Sequence, residues 1–417
     1  MSDAPQMPGR AAKGALLVAL FSVFLDILAF GVIIPIQPFY AEEFGASEAV
    51  VTLLGASFSF MQFLFAPMWG RLSDRIGRRP VMLVSIAFAT VGHVIMATAT
   101  SLWVLFAARI IVGFGTSNFG AAQAIVADTT SGAMRSRGMG LFGAAFGVGF
   151  VLGPAIGGAL VQFDTTTPMW FSAGLSLLNL IFALRYLPET HPPERRAASP
   201  ERHWFPLSGI TRARAYPNVR ALLLVMAFAI TAQGMSEQVL SLLIERTWVL
   251  PLHGGLLTTQ VQREAAALTA VCLIAVGLTA VVVQGGLLGR LQKRFGEPAL
   301  IRTGALFAAL GIAAFPLTAL SGSFALLILA SIFFAAGVGL LAPSTTGLLS
   351  RTVPSHEQGQ WLGSAQSLGA LGRALGPALS GALFASGRAL PFVIGALLML
   401  MTLAFSRGLR SAPHLSH

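Results

Sequence analysis

The sequence predicts an all-α integral membrane protein of twelve transmembrane helices in two pseudo-symmetric six-helix bundles. Three observations carry this prediction. The first is composition: 55% of the 417 residues are hydrophobic and only 10% are charged. Soluble proteins carry about 25% charged residues, so the bilayer is the medium that fits. The second is the alternation of long apolar runs with short basic loops. The third is a repeat at an offset of about 220 residues.

A spanning helix needs about 20 mainly apolar residues. Runs of that kind occupy 14–40, 48–70, 80–98, 102–127, 138–162, 169–187, 220–243, 265–288, 299–320, 324–349, 359–385 and 389–405. The first run follows a basic N-terminus. It is longer than the apolar core of a signal peptide, about 7–15 residues, and holds Asp26, Pro35 and Pro38. It reads as a retained first helix. The seventh run is the least regular, because Gln233, Ser236, Glu237 and Gln238 interrupt it.

Charge sets the orientation. Basic residues gather at both ends of the chain and in the loops after runs two, four, six, eight and ten, among them Arg71, Arg135, Arg290 and Arg351. The opposite loops hold Arg246, Arg263 and Arg388 together with Glu42, Glu43, Glu48 and Asp164. The positive-inside rule then places both termini in the cytoplasm, as an even helix count also requires. The net charge of +11 belongs to these loops and not to one polar face, so no nucleic-acid partner is expected. Cys272 is the only cysteine, which leaves no thiolate metal cluster and no disulfide framework.

The polar stretch 188–219 is rich in Pro, Arg and Ser. It reads as a cytoplasmic linker between an N-terminal bundle, 1–187, and a C-terminal bundle, 220–417. Its basic part, 209–220, suits anionic headgroups. The bundles are related by duplication. Gly70, Leu72, Arg75 and Gly77 recur as Gly289, Leu291, Arg294 and Gly296, and Gly153-Pro154-Ala155 recurs as Gly376-Pro377-Ala378. Such repeats underlie alternating access around a site at mid-membrane.

Charges inside the apolar runs are the sharpest chemical signal. Each costs about 2.5–3.5 kcal/mol at a helix centre even on the lenient scale. Asp26 lies about 12 residues, roughly 18 Å, into the first run. Arg109 lies at comparable height in the fourth, so an Asp26–Arg109 pair is expected, structural or functional. Glu237 sits in the polar patch of the seventh run beside Gln233. Arg373 precedes Gly376-Pro377 in the eleventh, where it would serve Glu237 or an anionic group. Carboxyls can be tuned to exchange a proton by burial and neighbours, whereas arginine stays charged. Asn118 and other uncharged polar residues, such as Gln37 and Gln62, either line a cavity or bridge helices. His93 reads as a packed polar residue.

Four motifs together resemble the major facilitator superfamily, in its twelve-helix drug:proton antiporter branch, and within it the tetracycline-resistance efflux pumps. They are Leu25-Asp26 with Gly31 to Pro35; Gly70-Arg71-Leu72-Ser73-Asp74-Arg75-Ile76-Gly77-Arg78-Arg79-Pro80; Arg109 to Gly113 through Asp128; and Gly149 through Gly153, Pro154, Gly157 and Gly158. The resemblance implies proton-coupled export of amphipathic small molecules across a bacterial inner membrane by a monomer. It implies the proton gradient as energy source and no cofactor. The second motif, Gly70, Asp74, Arg75, Gly77 and Arg79 in particular, would latch the cytoplasmic side, with Gly70 and Gly77 allowing close approach and tight turning. The fourth would bend the fifth helix. Tetracycline pumps also use acids in helices three and nine. Here helix three offers His93 and helix nine offers none. A carrier of organic anions or lipids, using the two core arginines, is the alternative. No nucleophile, metal-ligand or acid-pair motif supports an enzyme, and a passive channel fits the duplicated, latch-bearing bundle less well.

Overall fold

The computed structural model describes residues 9–130, 132–196, 216–353 and 358–409, and among these leaves aside the side chains of 9–11, 118, 132–137, 195–196, 217, 320, 358–360 and 363. Most of the linker therefore lies outside the described residues, and so do the side chains of Arg135 and Arg137 and the headgroup-facing role expected of 209–220. The described residues are helical almost throughout. Eleven helices are long and apolar enough to cross a membrane: α1 (Ala12–Ile33), α2 (Glu48–Ile76), α3 (Arg78–Ala97), α4 (Leu102–Thr129), α5 (Gly138–Leu160), α6 (Thr167–Tyr186), α7 (Asn218–His253), α8 (Thr259–Phe295), α9 (Glu297–Ala319), α10 (Phe324–Thr352) and α11 (Ser364–Ser386). A shorter apolar helix, α12 (Leu390–Ser406), completes the expected twelve.

Departures from the apolar runs have local causes. The first run stops at Ile33, and a separate short helix, Gln37–Glu42, carries Pro38 in its first turn. Proline fixes φ and lacks an N–H, so it opens helices and does not continue them. A 3₁₀ turn, Thr116–Asn118, interrupts α4. The irregular seventh run is one continuous helix to Ile244, extended by a π turn over Glu245–Val249. Gln233, Glu237 and Gln238 therefore do not break it: every backbone group there is satisfied within the helix.

The chain divides into two compact units. One holds α1, the part of α2 from Phe60 onward, and α3 to α6. The other holds Ala46–Ser59 and α7 to α12. Within the first, α1 packs on α5 and α6, and α3 on α4 and α6. Within the second, α7 packs on α11 and α12, and α9 on α10 and α12. The pairing scheme is the same, as a duplication requires.

Glycine makes the tightest of these pairings. A Cβ on Gly153 of α5 would stand 2.6 Å from the Gly31 Cα of α1 and 2.9 Å from the Val32 nitrogen. Gly149 packs on Phe24 and Ile27, Gly157 on Val32, and Gly158 is buried. In the second unit, a Cβ on Gly376 of α11 would meet the Thr231 oxygen of α7 at 2.7 Å. Lipid tails are as apolar as leucine, so helices associate here through such close contact.

The repeat extends to the ends of the helices. Gly77 has φ 107° and Gly296, 219 residues on, has φ 73°. Both conformations favour glycine, and each glycine stops one helix directly before the next begins. Arg78 follows the first and pairs with Asp128 at the end of α4, Nε to Oδ2 3.2 Å. Glu297 follows the second and pairs with Arg351 at the end of α10. Asp128 and Arg351 are 223 residues apart, which is the offset from Gly153 to Gly376. The same contact is thus made twice with its charges exchanged.

Two outcomes are expected. Gly153→Val should lower the melting temperature of purified protein, the overpacking costing about 1–3 kcal/mol, while Gly70→Ala should not. Glu297→Arg should lose about 1 kcal/mol, a small figure because the Arg351 side chain is 57% exposed and screened. Adding Arg351→Glu should restore most of that loss in the same thermal assay.

Candidate functional site

The basic turn between α2 and α3 is more helical than its composition suggests. α2 continues to Ile76, and Gly77 alone makes the corner. Gly70 lies inside α2 with open space where a Cβ would sit. The close approach expected of Gly70 is therefore absent, and only Gly77 has a conformational reason to be glycine. Arg75 and Arg79 are exposed. Arg79 donates from Nη2 to the Leu184 carbonyl at 3.0 Å.

Arg78 is the hub, although it carried no special weight in the motif. It is buried, at 7% exposure. Its Nη1 lies 2.5 Å from Asp74 Oδ1 and 3.0 Å from Ser73 Oγ, while its Nε reaches Asp128. Glu189, just past α6, accepts from the backbone N–H of Arg78 at 2.9 Å and of Arg79 at 3.2 Å. A carboxylate on the unpaired N–H groups of a helix start also meets the positive end of its dipole. Asp74 is thus tied through Arg78 to the ends of α4 and α6. In the sequence Asp128 stood out only as the end of the Arg109 motif, and Glu189 was not singled out.

In the second unit, Arg246 of α7 lies 3.6 Å from Glu48 and 3.0 Å from the buried Glu245. Arg246 and Glu48, counted among the loop charges, form a helix-terminal ion pair instead.

Within the membrane the partners differ from those expected. Asp26 of α1 accepts a hydrogen bond from Asn179 of α6, Nδ2 to Oδ1 2.8 Å. The pairing of Asp26 with Arg109 is not what the structure contains: the acid's bond is to a neutral amide. Arg109 is buried at 3% exposure on α4, within electrostatic reach of His93. His93 packs on α6, its Nδ1 2.8 Å from Ser176 Oγ, which agrees with its reading as a packed polar residue. Glu237 of α7 accepts from Gln233 one turn earlier, Nε2 to Oε1 2.9 Å. Glu237 is therefore also held by an amide, not by Arg373. Arg373 is exposed on α11 over Gly369. Asn118 closes the 3₁₀ turn of α4, but its side chain lies outside the described residues.

Glu237 also borders a cavity of about 10 Å³, walled by Ser236, Leu240, Leu273, Val276, Phe315 and Phe334. That is room for one water molecule. Asp26 and Glu237 share a chemical setting. Each is a carboxyl in the middle of a spanning helix, half-buried, bound to a carboxamide, and in no ion pair among the described residues. A neutral partner can serve both states of the acid, since an amide offers donors and an acceptor.

Comparison with known proteins places this geometry. The tetracycline resistance protein of class C from Escherichia coli is 34% identical over 407 residues, covering 95% of this chain and 98% of its own. The class E protein from Escherichia coli is 32% identical over 383 residues, covering 89% and 88%. The crystal structure of the human organic anion transporter MFSD10 superposes with a TM-score of 0.70 at 26% identity, covering 96% of this chain and all of that one. The model of the Major Facilitator Superfamily matches residues 19–377 and 263–416. With its duplicated six-helix pattern and its helix-end charge clusters, the chain belongs to the Major Facilitator Superfamily of membrane transporters.

Proposed function

We propose that the protein is a proton-coupled exporter of amphipathic small molecules that works by alternating access. The observation that carries this reading is the pair of mid-membrane acids held by amides. An acid bridged to arginine stays ionised across the physiological range. An acid held by a carboxamide keeps both states open, and Asp26 and Glu237 are the coupling groups of this proposal. The likeness to tetracycline resistance proteins over nearly the whole chain supports export. His93 in α3 and the lack of any acid in the apolar run 299–320 of α9 favour substrates other than tetracycline. The proposal places both termini in the cytoplasm of a bacterial inner membrane, where basic loops favour the inner side. The working unit is a monomer, and the proton gradient drives it without a cofactor.

The loop around Arg78 is proposed as the cytoplasmic latch, with Asp74 and Asp128 as its acidic jaws. Gly149, Gly153, Pro154, Gly157 and Gly158 set the path of α5 against α1.

A second reading, export of organic anions, rests on Arg373. The residue makes no ion pair among the described residues, and the organic anion transporter shares the fold at 26% identity. Counterflow with matched anionic and cationic substrates separates the two readings.

The main test has two stages. Cells expressing the protein should outgrow non-expressing cells on some members of a drug panel. In proteoliposomes, Asp26→Asn should then abolish flux of that compound driven by a pH gradient, with folded yield unchanged. Glu237→Gln should reduce it similarly. Undiminished gradient-driven flux in both variants would remove the two acids from the mechanism.

A further inference from the structure

Helix α6 carries a polar stripe that the sequence pattern does not advertise. Ser172, Ser176 and Asn179 follow one another at helical spacing and are essentially fully buried, at 0%, 1% and 0% exposure. Each spends its polar group on a neighbouring helix. Ser172 Oγ donates to the Ala29 carbonyl of α1 at 2.9 Å. Ser176 meets His93 of α3. Asn179 turns its Nδ2 to α1, donating to Asp26 Oδ1 at 2.8 Å and to the Ser22 carbonyl at 3.2 Å.

The accounting of the Asn179 amide is informative. Both of its N–H groups are used on α1. Its Oδ1 is buried and has no hydrogen-bond partner among the described residues. A buried amide oxygen without a partner costs about 1–3 kcal/mol, so such an arrangement calls for a reason. Protonated Asp26 supplies one. An ionised carboxyl only accepts hydrogen bonds, whereas its acid form also carries an O–H donor. That donor needs an acceptor, and the idle Asn179 Oδ1 belongs to the group already in contact. A half-turn of the amide about its last side-chain bond exchanges N–H for O at the carboxyl and gives up the longer, 3.2 Å bond to the Ser22 carbonyl.

We propose that Asn179 is the positioning residue for Asp26, donating to the carboxylate from Nδ2 and accepting from the carboxylic acid at Oδ1. This rests on the reading of Asp26 as a coupling acid and deepens it. The helix that holds the acid is α6, packed behind α1, and the proton's arrival is registered as an amide rotation. No covalent change is needed beyond the proton itself: it enters on a carboxyl oxygen and leaves from the same group. His93 of α3 reaches α6 through Ser176, and Arg109 of α4 lies within electrostatic reach of His93.

The test uses the full chain in liposomes and the proton as the only probe. Infrared difference spectra between acid and alkaline pH report carboxyl groups that change state. The bands missing from Asp26→Asn belong to Asp26. In Asn179→Leu, the C=O band of protonated Asp26 should move to higher wavenumber, as a carboxyl does when it loses a hydrogen-bond partner. In Ser172→Ala, which breaks a different α6–α1 bond, that band should stay where it is. Should the leucine variant fold poorly, Asn179→Ser removes the amide with less disturbance and should give the same shift. An Asp26 band unaltered by both Asn179 variants overturns the proposal, and so does an equal shift in Ser172→Ala. Full gradient-driven flux in Asp26→Asn defeats the underlying coupling reading instead, whatever the band does.

Discussion

The contact at Gly31 and Gly153 is the constraint on which the first unit depends. No water is present in hydrocarbon to drive helices together, so affinity between them comes from backbone proximity and from polar groups that find one another. With hydrogen as the side chain on both faces, α1 lies directly against α5. That places α1 with its other flank toward α6, where Ser172 and Asn179 bond to it. Close packing on one side and hydrogen bonds on the other hold the acid of α1 at a defined depth. α7, α11 and α12 repeat the close-packed half of this plan around Thr231 and Gly376.

Polar groups in the membrane-spanning helices fall into two classes. Serine and threonine hydroxyls mostly bond carbonyls of their own helix three or four residues back, as Ser117, Thr231 and Thr345 do. These are neutral fillers that satisfy themselves. The carboxamides behave differently, because an amide offers acceptor and donor together and here bonds other side chains. Gln62 bridges to Thr116, Gln233 to Glu237 and Asn179 to Asp26. Charges at helix ends answer to another logic, in which arginine and carboxylate pair within reach of water.

Most of the architecture was legible in the sequence because a membrane reduces the choices. Length and apolarity mark each span, basic loops mark one side, and proline and glycine mark where helices open or stop. The second unit was equally clear from Gly296 and from Gly376-Pro377. The site was legible by halves. Asp26, Arg109, Glu237 and Arg373 declared themselves as charges in apolar runs. The partners of the two acids did not, because opposite charge is the natural guess for a partner and the bonded groups are neutral amides. Asn179 looked like any polar residue in the sixth run, and its meaning lies in the face it shares with Ser172 and Ser176. Gly70 misled in the other direction: a motif position carried an expectation of close packing that nothing around it supports. The exchange of charges between Arg78–Asp128 and Glu297–Arg351 was hidden because comparison by residue identity counts a reversed pair as two mismatches.

The small space beside Glu237 has a consequence for which ions this protein can exploit. A proton asks only for one lone pair and travels on a single water. An alkali or alkaline-earth cation asks for several oxygen ligands at once, as hard cations do. Beside Glu237 itself, Ser236 is the one lining residue with a side-chain oxygen, Leu240, Leu273, Val276, Phe315 and Phe334 supply none, and about 10 Å³ leaves no room to bring a hydration shell. A space of this size and lining suits a single water and a proton, not a cation that arrives with its hydration shell.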